Sequence, residues 1–221
     1  MKLAAAVLTY NTHRFGRHEL LLETLRSLNV PDVPVFIWDN GSDDGTQDLV
    51  LSLGGQTNRG PHRTIGDGMN AVIGLAVKSG ADVVCFSNDD VRWKPGWADK
   101  VRAFWDDAPT DIGICSGLLE TRLWYWNQIT AAHDVGGQRV LERETVPGAA
   151  WTFRASTWDR MRPVPNLGNE ENDVPVCHKL RERGMRLVAA DWVTHLGDGK
   201  STWGNMTHLH GEPLDRQKWG V

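Results

Sequence analysis

The chain has 221 residues, of which 40% are hydrophobic and 24% are charged, and its formal net charge at pH 7 is −4. These values are typical of a globular protein with one core and a smaller appended region. The net negative charge argues against nonspecific electrostatic binding to DNA or to an anionic membrane. No apolar run reaches the roughly 18 residues that a membrane span needs.

The first apolar run, Leu3 to Leu8, resembles the start of a signal peptide. It continues into Thr9-Tyr10-Asn11 without a cleavage-site pattern, so we interpret it as the first strand. The cysteines are odd in number, and two of the three, Cys85 and Cys115, lie in apolar runs. This pattern is typical of reduced, packed thiols, and we therefore predict a cytoplasmic location.

In the first half of the chain, short apolar runs alternate with helical patterns. Continuous apolar runs are typical of strands that are covered on both faces, and apolar residues at helical spacing indicate helices. The predicted elements are, in chain order, strand Leu3–Leu8, helix Glu19–Leu28, strand Val33–Trp38, helix Thr64–Lys78, strand Ala81–Phe86, helix Trp97–Trp105 and strand Ile112–Cys115. This alternation predicts a mainly parallel sheet with right-handed crossovers.

The second half of the chain is less regular. We predict a strand over Ala149–Arg154, a short helix near Ser156–Met161, a helix over Asn172–Arg183 and a strand over Met185–Ala190. The tail from Thr194 onwards is rich in His, Gly and Trp.

Polar residues follow three of the predicted strands of the first half and one further, short segment between them. The four groups are Thr9-Tyr10-Asn11, Asp39 to Thr46, Asn58-Arg59-Gly60 and Asn88-Asp89-Asp90. Each group alone has an ordinary structural explanation, since Asp-Asn-Gly-Ser is a good turn and acids near a helix start are favoured by its dipole. Ligands of open α/β sheets bind beyond the carboxyl ends of the strands, so the shared edge favours a binding site.

With these motifs, the sequence resembles the family 2 glycosyltransferases of the GT-A fold. Val7 to Asn11 resembles the first strand of the family, and the remaining matches follow in the family's order to about His195. They are Asp39-Asn40-Gly41-Ser42 with Asp44-Gly45-Thr46 for the D-N-G-S-x-D-G-T turn, Asn58-Arg59-Gly60 for the N-x-G segment, Asn88-Asp89-Asp90-Val91 with Pro95-Gly96-Trp97 for the metal-binding motif, Gly148-Ala149-Ala150 for the acceptor-side segment, and Asp173-Val174 with Cys177 and Gly184 for the E-D-V helix.

The resemblance implies an α/β fold of GT-A type, in which helices sandwich a Rossmann-like, mainly parallel sheet. A smaller acceptor-side region would occupy the C-terminal half. We accordingly predict a single domain over residues 1–221. Its nucleotide-sugar-binding half would span residues 1–115, its acceptor and catalytic-base half 116–195, and its tail 196–221.

The resemblance also implies a divalent cation, Mn²⁺ or Mg²⁺, on the donor diphosphate. Such hard cations prefer carboxylate oxygen and often use only one or two protein carboxylates plus phosphates. Asp90 is the predicted direct ligand. Asn88 replaces an Asp of other members and is predicted to position the ribose or a metal-bound water, while Asp89 is either a donor contact or only a neighbour. His195 matches a histidine that some members place near the metal, and a purely structural role is equally open.

The remaining predicted donor contacts come from the strand ends and from one helix start. By resemblance, Asp39 would accept a hydrogen bond from a pyrimidine N–H. Arg59 is predicted to contact phosphate or base, or to lie on the surface, and Asp67 to contact the sugar or cap its helix. The full predicted donor set is Thr9, Tyr10, Asn11, Asp39, Asn40, Asn58, Arg59, Asp67, Asn88 and Asp89.

An inverting transfer needs a base that deprotonates the acceptor hydroxyl during attack. The resemblance assigns this role to Asp173, but Asn172 occupies the family's usual Glu position. A shifted alignment that makes Glu171 the base therefore stays open, as does a helix-capping role for these acids.

We thus predict an inverting glycosyltransferase that moves a sugar from a UDP- or dTDP-sugar to an acceptor hydroxyl. The acceptor is left open among a saccharide, a small molecule, a protein and a hydroxymethylated DNA base, and a homodimer is left open too. The alternative function is a nucleotide-sugar-binding module without catalysis. Nucleotidyltransferases and dinucleotide-dependent oxidoreductases are disfavoured, because no glycine-rich phosphate loop follows the first strand.

Overall fold

The structure is a computed structural model that describes residues 1–58, 64–119, 128–167, 172–196 and 216–221. Within these residues, nine strands form one sheet and two more form a separate antiparallel ribbon. The strands are β1 (Leu3–Thr9), β2 (Val35–Asp39), β3 (Gln56–Thr57), β4 (Val83–Asn88), β5 (Val91–Trp93), β6 (Ile112–Ser116), β7 (Ile129–Val135), β8 (Gln138–Arg143), β9 (Ala150–Arg154), β10 (Arg186–Ala189) and β11 (Val193–His195). The helices are α1 (His18–Leu28), α2 (Thr46–Ser52), α3 (Ile65–Lys78), α4 (Trp97–Asp107), α5 (Trp158–Met161), α6 (Asp173–Arg181) and α7 (Arg216–Trp219).

The order of strands in the sheet is β3-β2-β1-β4-β9-β6-β10-β8-β7. The strands β3, β2, β1 and β4 are parallel neighbours, and β10 is parallel to β6. The strand β9 runs antiparallel between β4 and β6, so it begins at the edge where β4 ends. The sequence prediction of an α/β fold with a mainly parallel sheet is confirmed.

Two hydrophobic cores lie on the two faces of the sheet, and β1 contributes alternate residues to both. Leu3, Ala5 and Val7 belong to the core that contains α1 and α4. Ala4, Ala6 and Leu8 belong to the core that contains α3, α5 and α6. A strand buried on both faces needs a continuous apolar run, which is why the run at the N-terminus forms a strand in the middle of the sheet.

The predicted elements are found with shifts at their ends, and two strand pairs were not predicted. The hairpin of β7 and β8 lies at the edge of the sheet, and most residues of β7 are half-buried or exposed. It therefore lacks the apolar run that identified the central strands. The ribbon of β5 and β11 joins residues about 100 positions apart, with His195 opposite Val91.

All three cysteines are buried and free. Among the residues that the structure describes, no helix is both long and apolar enough to cross a membrane.

Candidate active site

The acidic turn Asp89-Asp90 connects β4 to β5, and both residues are almost completely buried. Helix α1 binds Val91, the residue that follows this turn. The Thr24 hydroxyl of α1 donates to the Val91 carbonyl (2.8 Å) and accepts from the Val91 N–H (3.2 Å). On the other side, the Leu196 N–H donates to the Asp90 carbonyl (2.8 Å). Two distant segments, α1 and the residue after β11, thus hold the turn in place.

Both carboxylate oxygens of Asp89 have a partner, one through a hydrogen bond and one through charge. Its Oδ2 accepts the Thr9 hydroxyl (2.6 Å), and its Oδ1 lies 3.6 Å from Nη1 of Arg17. Burial raises the pKa of Asp89 to about 6, with a further rise from the charge of Asp90, although Arg17 and Thr9 act in the opposite direction. The carboxylate of Asp89 therefore ties the end of β1 to the end of β4.

Asp90 differs from its neighbour, because its Oδ1 is buried and has no hydrogen-bond partner among the described residues. Its Oδ2 lies 3.5 Å from Nε2 of His195 and 4.0 Å from Nη1 of Arg17. A buried carboxylate oxygen without a partner is costly and is typical of a site that a ligand completes.

The side chains at the acidic turn suit a divalent cation that also has phosphate ligands. Within the described ranges, no group of three or more His, Cys, Asp or Glu side chains could hold a metal by itself. Asp90, with its partnerless oxygen, and the nearby His195 nevertheless fit a cation such as Mg²⁺, which uses few protein ligands when phosphates supply the others.

The Asp39 turn follows β2, next to the end of β1. The Asp39 carboxylate is fully buried and accepts from the backbone N–H of Ser42 (3.1 Å), from the Ser42 hydroxyl and from the Thr57 hydroxyl (2.7 Å). These hydrogen bonds close the turn and attach it to β3. The contact of Asp39 with a pyrimidine N–H stays a prediction, since in this structure the carboxylate holds the turn.

The loop after β1 packs against the Asp39 turn. Asn11 has a φ of +48°, a left-handed conformation that Asn tolerates better than most residues. Its backbone N–H donates to the Ser42 hydroxyl (2.8 Å), and its side-chain oxygen accepts from the Asp43 N–H (3.1 Å). Its side-chain nitrogen is buried without a partner in the described part of the chain. Asn11 therefore presents one unsatisfied donor beside the strand ends.

Asp173, which the sequence predicted on the acceptor side, is the first residue of α6. Its Oδ2 accepts the Gly148 N–H (2.9 Å), and its Oδ1 accepts the Val174 N–H (3.1 Å). The Ala149 carbonyl accepts the Asn88 N–H (2.8 Å), which places this segment beside the end of β4. Burial raises the pKa of Asp173 above its ordinary value, and the hydrogen bond from Gly148 partly opposes this rise.

Helix α3 begins next to the Asp39 turn. Asp67 is its third residue, and its carboxylate accepts from the hydroxyl of the N-cap residue Thr64 (3.1 Å). The Asn40 side chain donates to the Thr64 carbonyl (3.1 Å), which links this helix start to the Asp39 turn. The N-cap of α3 is therefore Thr64 and not Asp67, and the contact of Asp67 with the sugar stays a prediction.

The sequence model of glycosyl transferase family 2 matches residues 5–146, which is more than half of the chain. The chain belongs to this family. No curated protein matches the sequence at a significant level. The matched residues include the loop after β1, the Asp39 turn and the acidic turn, while Asp173 and His195 lie beyond the match.

Solved structures show the same fold. The structure of residues 1–349 of TarS from S. aureus superimposes with a TM-score of 0.63 at 15% identity, covering 90% of this chain and 62% of that one. The same fragment in complex with UDP gives a TM-score of 0.62. The mannosyltransferase PcManGT from Pyrobaculum calidifontis, in complex with GDP-Man and Mn²⁺, gives 0.56 at 16% identity, covering 86% of this chain and 56% of that one. This family 2 chain thus spans less than two thirds of the length of these structures.

The structure brings most of the predicted site residues of this family 2 chain to one edge of the sheet. The residues at the ends of β1, β2 and β4 lie on neighbouring strands, with Thr9 opposite Asp39 and Leu8 opposite Asn88. Tyr10 and Asn58 directly follow β1 and β3. Arg59 and Glu171 lie outside the described residues, so their predicted contacts stay predictions.

Sequence reasoning missed one charged residue of this edge, Arg17. Its side chain is only 6% exposed, and its Nη2 donates to the Tyr10 carbonyl (3.2 Å). Arg17 is also the N-cap residue of α1, where a positive charge opposes the helix dipole. A cation at a helix N-terminus is a local inconsistency of the kind that marks functional sites, and it is the signal that could have identified this residue.

Proposed function

We propose that this chain is an inverting glycosyltransferase that uses a divalent cation and a nucleotide-sugar donor. The observation that carries the proposal is Asp90, a buried carboxylate with a partnerless oxygen at the edge where the nucleotide-binding strands end. Membership of family 2 supports the reaction class. The complexes of fold neighbours with UDP and with GDP-Man and Mn²⁺ support the kind of donor and cation.

On the donor side, Asp90 with His195 would hold the cation. When bound, a divalent cation supplies charge neutralisation to the diphosphate as the glycosidic bond breaks. Asp89 and Thr9 keep the ends of β1 and β4 together through their hydrogen bond (2.6 Å), and Asn11 offers a free side-chain donor to the nucleotide. The residues of the chain thus orient the leaving group before the reaction.

On the acceptor side, we assign Asp173 as the general base. Its carboxylate would take the proton of the acceptor hydroxyl while the hydroxyl oxygen attacks the anomeric carbon and the bond to the diphosphate breaks. The two backbone N–H groups that bind the carboxylate fix its direction, and its burial makes it a stronger base than an exposed aspartate. One displacement of this kind inverts the anomeric configuration.

The test is a donor screen followed by a turnover assay. UDP-, dTDP- and GDP-sugars are tested for thermal stabilisation of the protein with and without Mn²⁺, and the stabilising donor is then tested for hydrolysis and for transfer to acceptors. NMR of the product gives the anomeric configuration. We expect Mn²⁺-dependent stabilisation and an inverted product. Binding without any turnover would indicate a nucleotide-sugar-binding module, and failure of every donor to bind would contradict the proposal.

A further inference from the structure

The side chain of Arg17 is built into the acidic turn. Its Nη1 lies 3.6 Å from Asp89 and 4.0 Å from Asp90, and its Nη2 binds the Tyr10 carbonyl. The guanidinium also lies over the ring of Phe15, at 5.4 Å from the centroid. With 6% exposure, this charge is nearly as buried as the carboxylates that it faces. The contacts with Asp89 and Asp90 are longer than hydrogen bonds, so the interaction is mainly one of charge.

The charges of Arg17, Asp89 and Asp90 do not cancel. Two carboxylates and one guanidinium leave one negative charge in a buried site. A divalent cation bound here without a ligand would leave one excess positive charge, and an uncompensated buried charge is costly. A diphosphate that binds with the cation places negative charge next to this excess positive charge, so the cation and the diphosphate attract each other and bind more tightly together than separately.

We propose that Arg17 is a positioning residue whose charge makes binding of the divalent cation at Asp90 depend on simultaneous binding of a nucleoside diphosphate. The guanidinium competes with the cation for the carboxylates while the site is empty. After the diphosphate binds, the same positive charge adds to its attraction. This inference rests on the proposed function, because it assumes that the cation and the diphosphate meet at Asp90.

The position of Arg17 supports this role over a purely structural one. An ordinary N-cap side chain accepts a hydrogen bond from the first turn of its helix, and the Arg17 side chain makes no such bond. Its Nε is buried and has no hydrogen-bond partner among the described residues. A side chain chosen only to start α1 would be small and polar, so its charge at this place needs another explanation.

The experiment measures Mn²⁺ binding by the EPR signal of free Mn²⁺, at one fixed pH, without nucleotide and with saturating UDP or GDP. The variants are Arg17→Gln, Arg17→Lys and the double variant Arg17→Gln with Asp89→Asn, which restores the formal charge of the site. The matched control is Arg14→Gln, because Arg14 lies on the same loop and pairs with Asp43 where both side chains are at least half exposed. Near-UV circular dichroism checks the fold of each variant.

We expect the wild-type protein to bind Mn²⁺ at least about tenfold more tightly with nucleotide than without it. In Arg17→Gln, Mn²⁺ alone should bind at least about fivefold more tightly than in the wild type, and the effect of nucleotide should shrink by the same factor. Arg14→Gln should behave like the wild type, and Arg17→Lys and the double variant should regain at least part of the nucleotide effect that Arg17→Gln loses.

Two negative outcomes are distinguishable. If the wild-type protein binds no Mn²⁺ with any nucleoside diphosphate, the proposed function fails and this inference fails with it. If the wild type shows the coupling and folded Arg17→Gln keeps it unchanged, only the inference is overturned. Should Arg17→Gln not fold, the double variant is compared with Asp89→Asn alone, and equal Mn²⁺ affinity of these two would also overturn it.

Discussion

Two parts of the proposed site differ in how they hold their aspartates: the donor edge, with the turns at Asp39 and at Asp89-Asp90, and the acceptor edge, with Gly148 and Asp173 beside the end of β4. On the donor side, Asp89 and Asp90 share the charge of Arg17, and Asp89 also receives a hydroxyl. On the acceptor side, Asp173 receives only backbone N–H groups, and no ion pair to it is found among the described residues. The donor edge therefore places a positive charge beside its carboxylates, whereas the acceptor edge keeps the carboxylate of Asp173 desolvated and basic.

This difference suits the two halves of the proposed reaction. A diphosphate and a cation bring large charges that the donor edge must receive together, so charged groups that are already held in place avoid a large reorganisation. A general base needs the opposite, because partners that stabilise its ionised form would weaken it. A substitution at the acceptor edge should therefore leave donor binding intact.

The largest effect is expected from Asp90→Asn. Loss of this carboxylate should remove Mn²⁺-dependent donor binding and lower the transfer rate at least about 10³-fold, because several kcal/mol of charge stabilisation depend on the cation. Isothermal titration with donor and Mn²⁺, together with a transfer assay, measures both quantities. Asp99→Asn is the control, since Asp99 is an exposed aspartate on α4. Wild-type donor binding by Asp90→Asn would show that the cation is held elsewhere.

Asp173→Asn should impair the acceptor edge and leave the donor edge unchanged. We expect the turnover rate to fall about 10²- to 10⁴-fold while the dissociation constants of donor and Mn²⁺ stay unchanged, because the acceptor proton loses its base. Asp159→Asn, a change at an exposed aspartate on α5, is the control. If Asp173→Asn keeps full turnover and Glu171→Gln loses it, the base is Glu171.

The pH dependence should differ between the edges as well. Burial raises the pKa of Asp173, and the base must be ionised, so turnover at saturating donor should rise with pH through a value above the ordinary pKa of Asp, about 4. Donor binding measured over the same pH range separates this from the donor edge, where the pKa of Asp89 is about 6. Asp173→Asn should remove the acid limb from turnover and leave the pH dependence of binding intact. A turnover limb that persists unchanged in Asp173→Asn would contradict the assignment.

The sequence predicted the donor edge better than the acceptor edge for a physical reason. Each donor-edge group directly follows its own strand, and parallel strands bring their ends to one edge without further information. The turn at Asp39 is closed by residues two and three positions away, so its motif carries its own geometry. The Gly148–Asp173 hydrogen bond joins positions 25 residues apart, and only the resemblance suggested that they meet.

Local sequence patterns also could not predict contacts between residues that are far apart in the chain. Thr9 and Asp89 are 80 positions apart, and nothing in their local sequences indicates that one donates to the other. The β5–β11 ribbon that places His195 beside Asp90 is made of two three-residue strands, which are too short for periodicity to identify. The hairpin of β7 and β8 was missed because an edge strand does not need a buried run.

The smallest expected effects come from α3, the helix that joins the two edges. Asn70 of this helix exchanges two hydrogen bonds with the backbone of Val164 (2.8 and 3.0 Å), in the loop before α6. A Cβ atom at Gly66 would lie 2.1 Å from the Pro165 carbonyl oxygen in the same loop, whereas a Cβ atom at Gly74 would meet nothing within 4 Å. Substitution of glycine by alanine should therefore lower the stability of the protein at Gly66 and raise it at Gly74.

We expect Gly66→Ala to lower the free energy of unfolding by about 1–3 kcal/mol, because the helix and the loop must move apart. Gly74→Ala should raise it by about 0.5–1 kcal/mol, because alanine loses less backbone entropy in a helix. Urea unfolding at constant slope measures both changes. If α3 also sets the spacing of the two edges, Gly66→Ala will lower turnover in the folded protein while Gly74→Ala leaves it unchanged. Equal turnover in both folded variants would show that the edges are positioned independently of this contact.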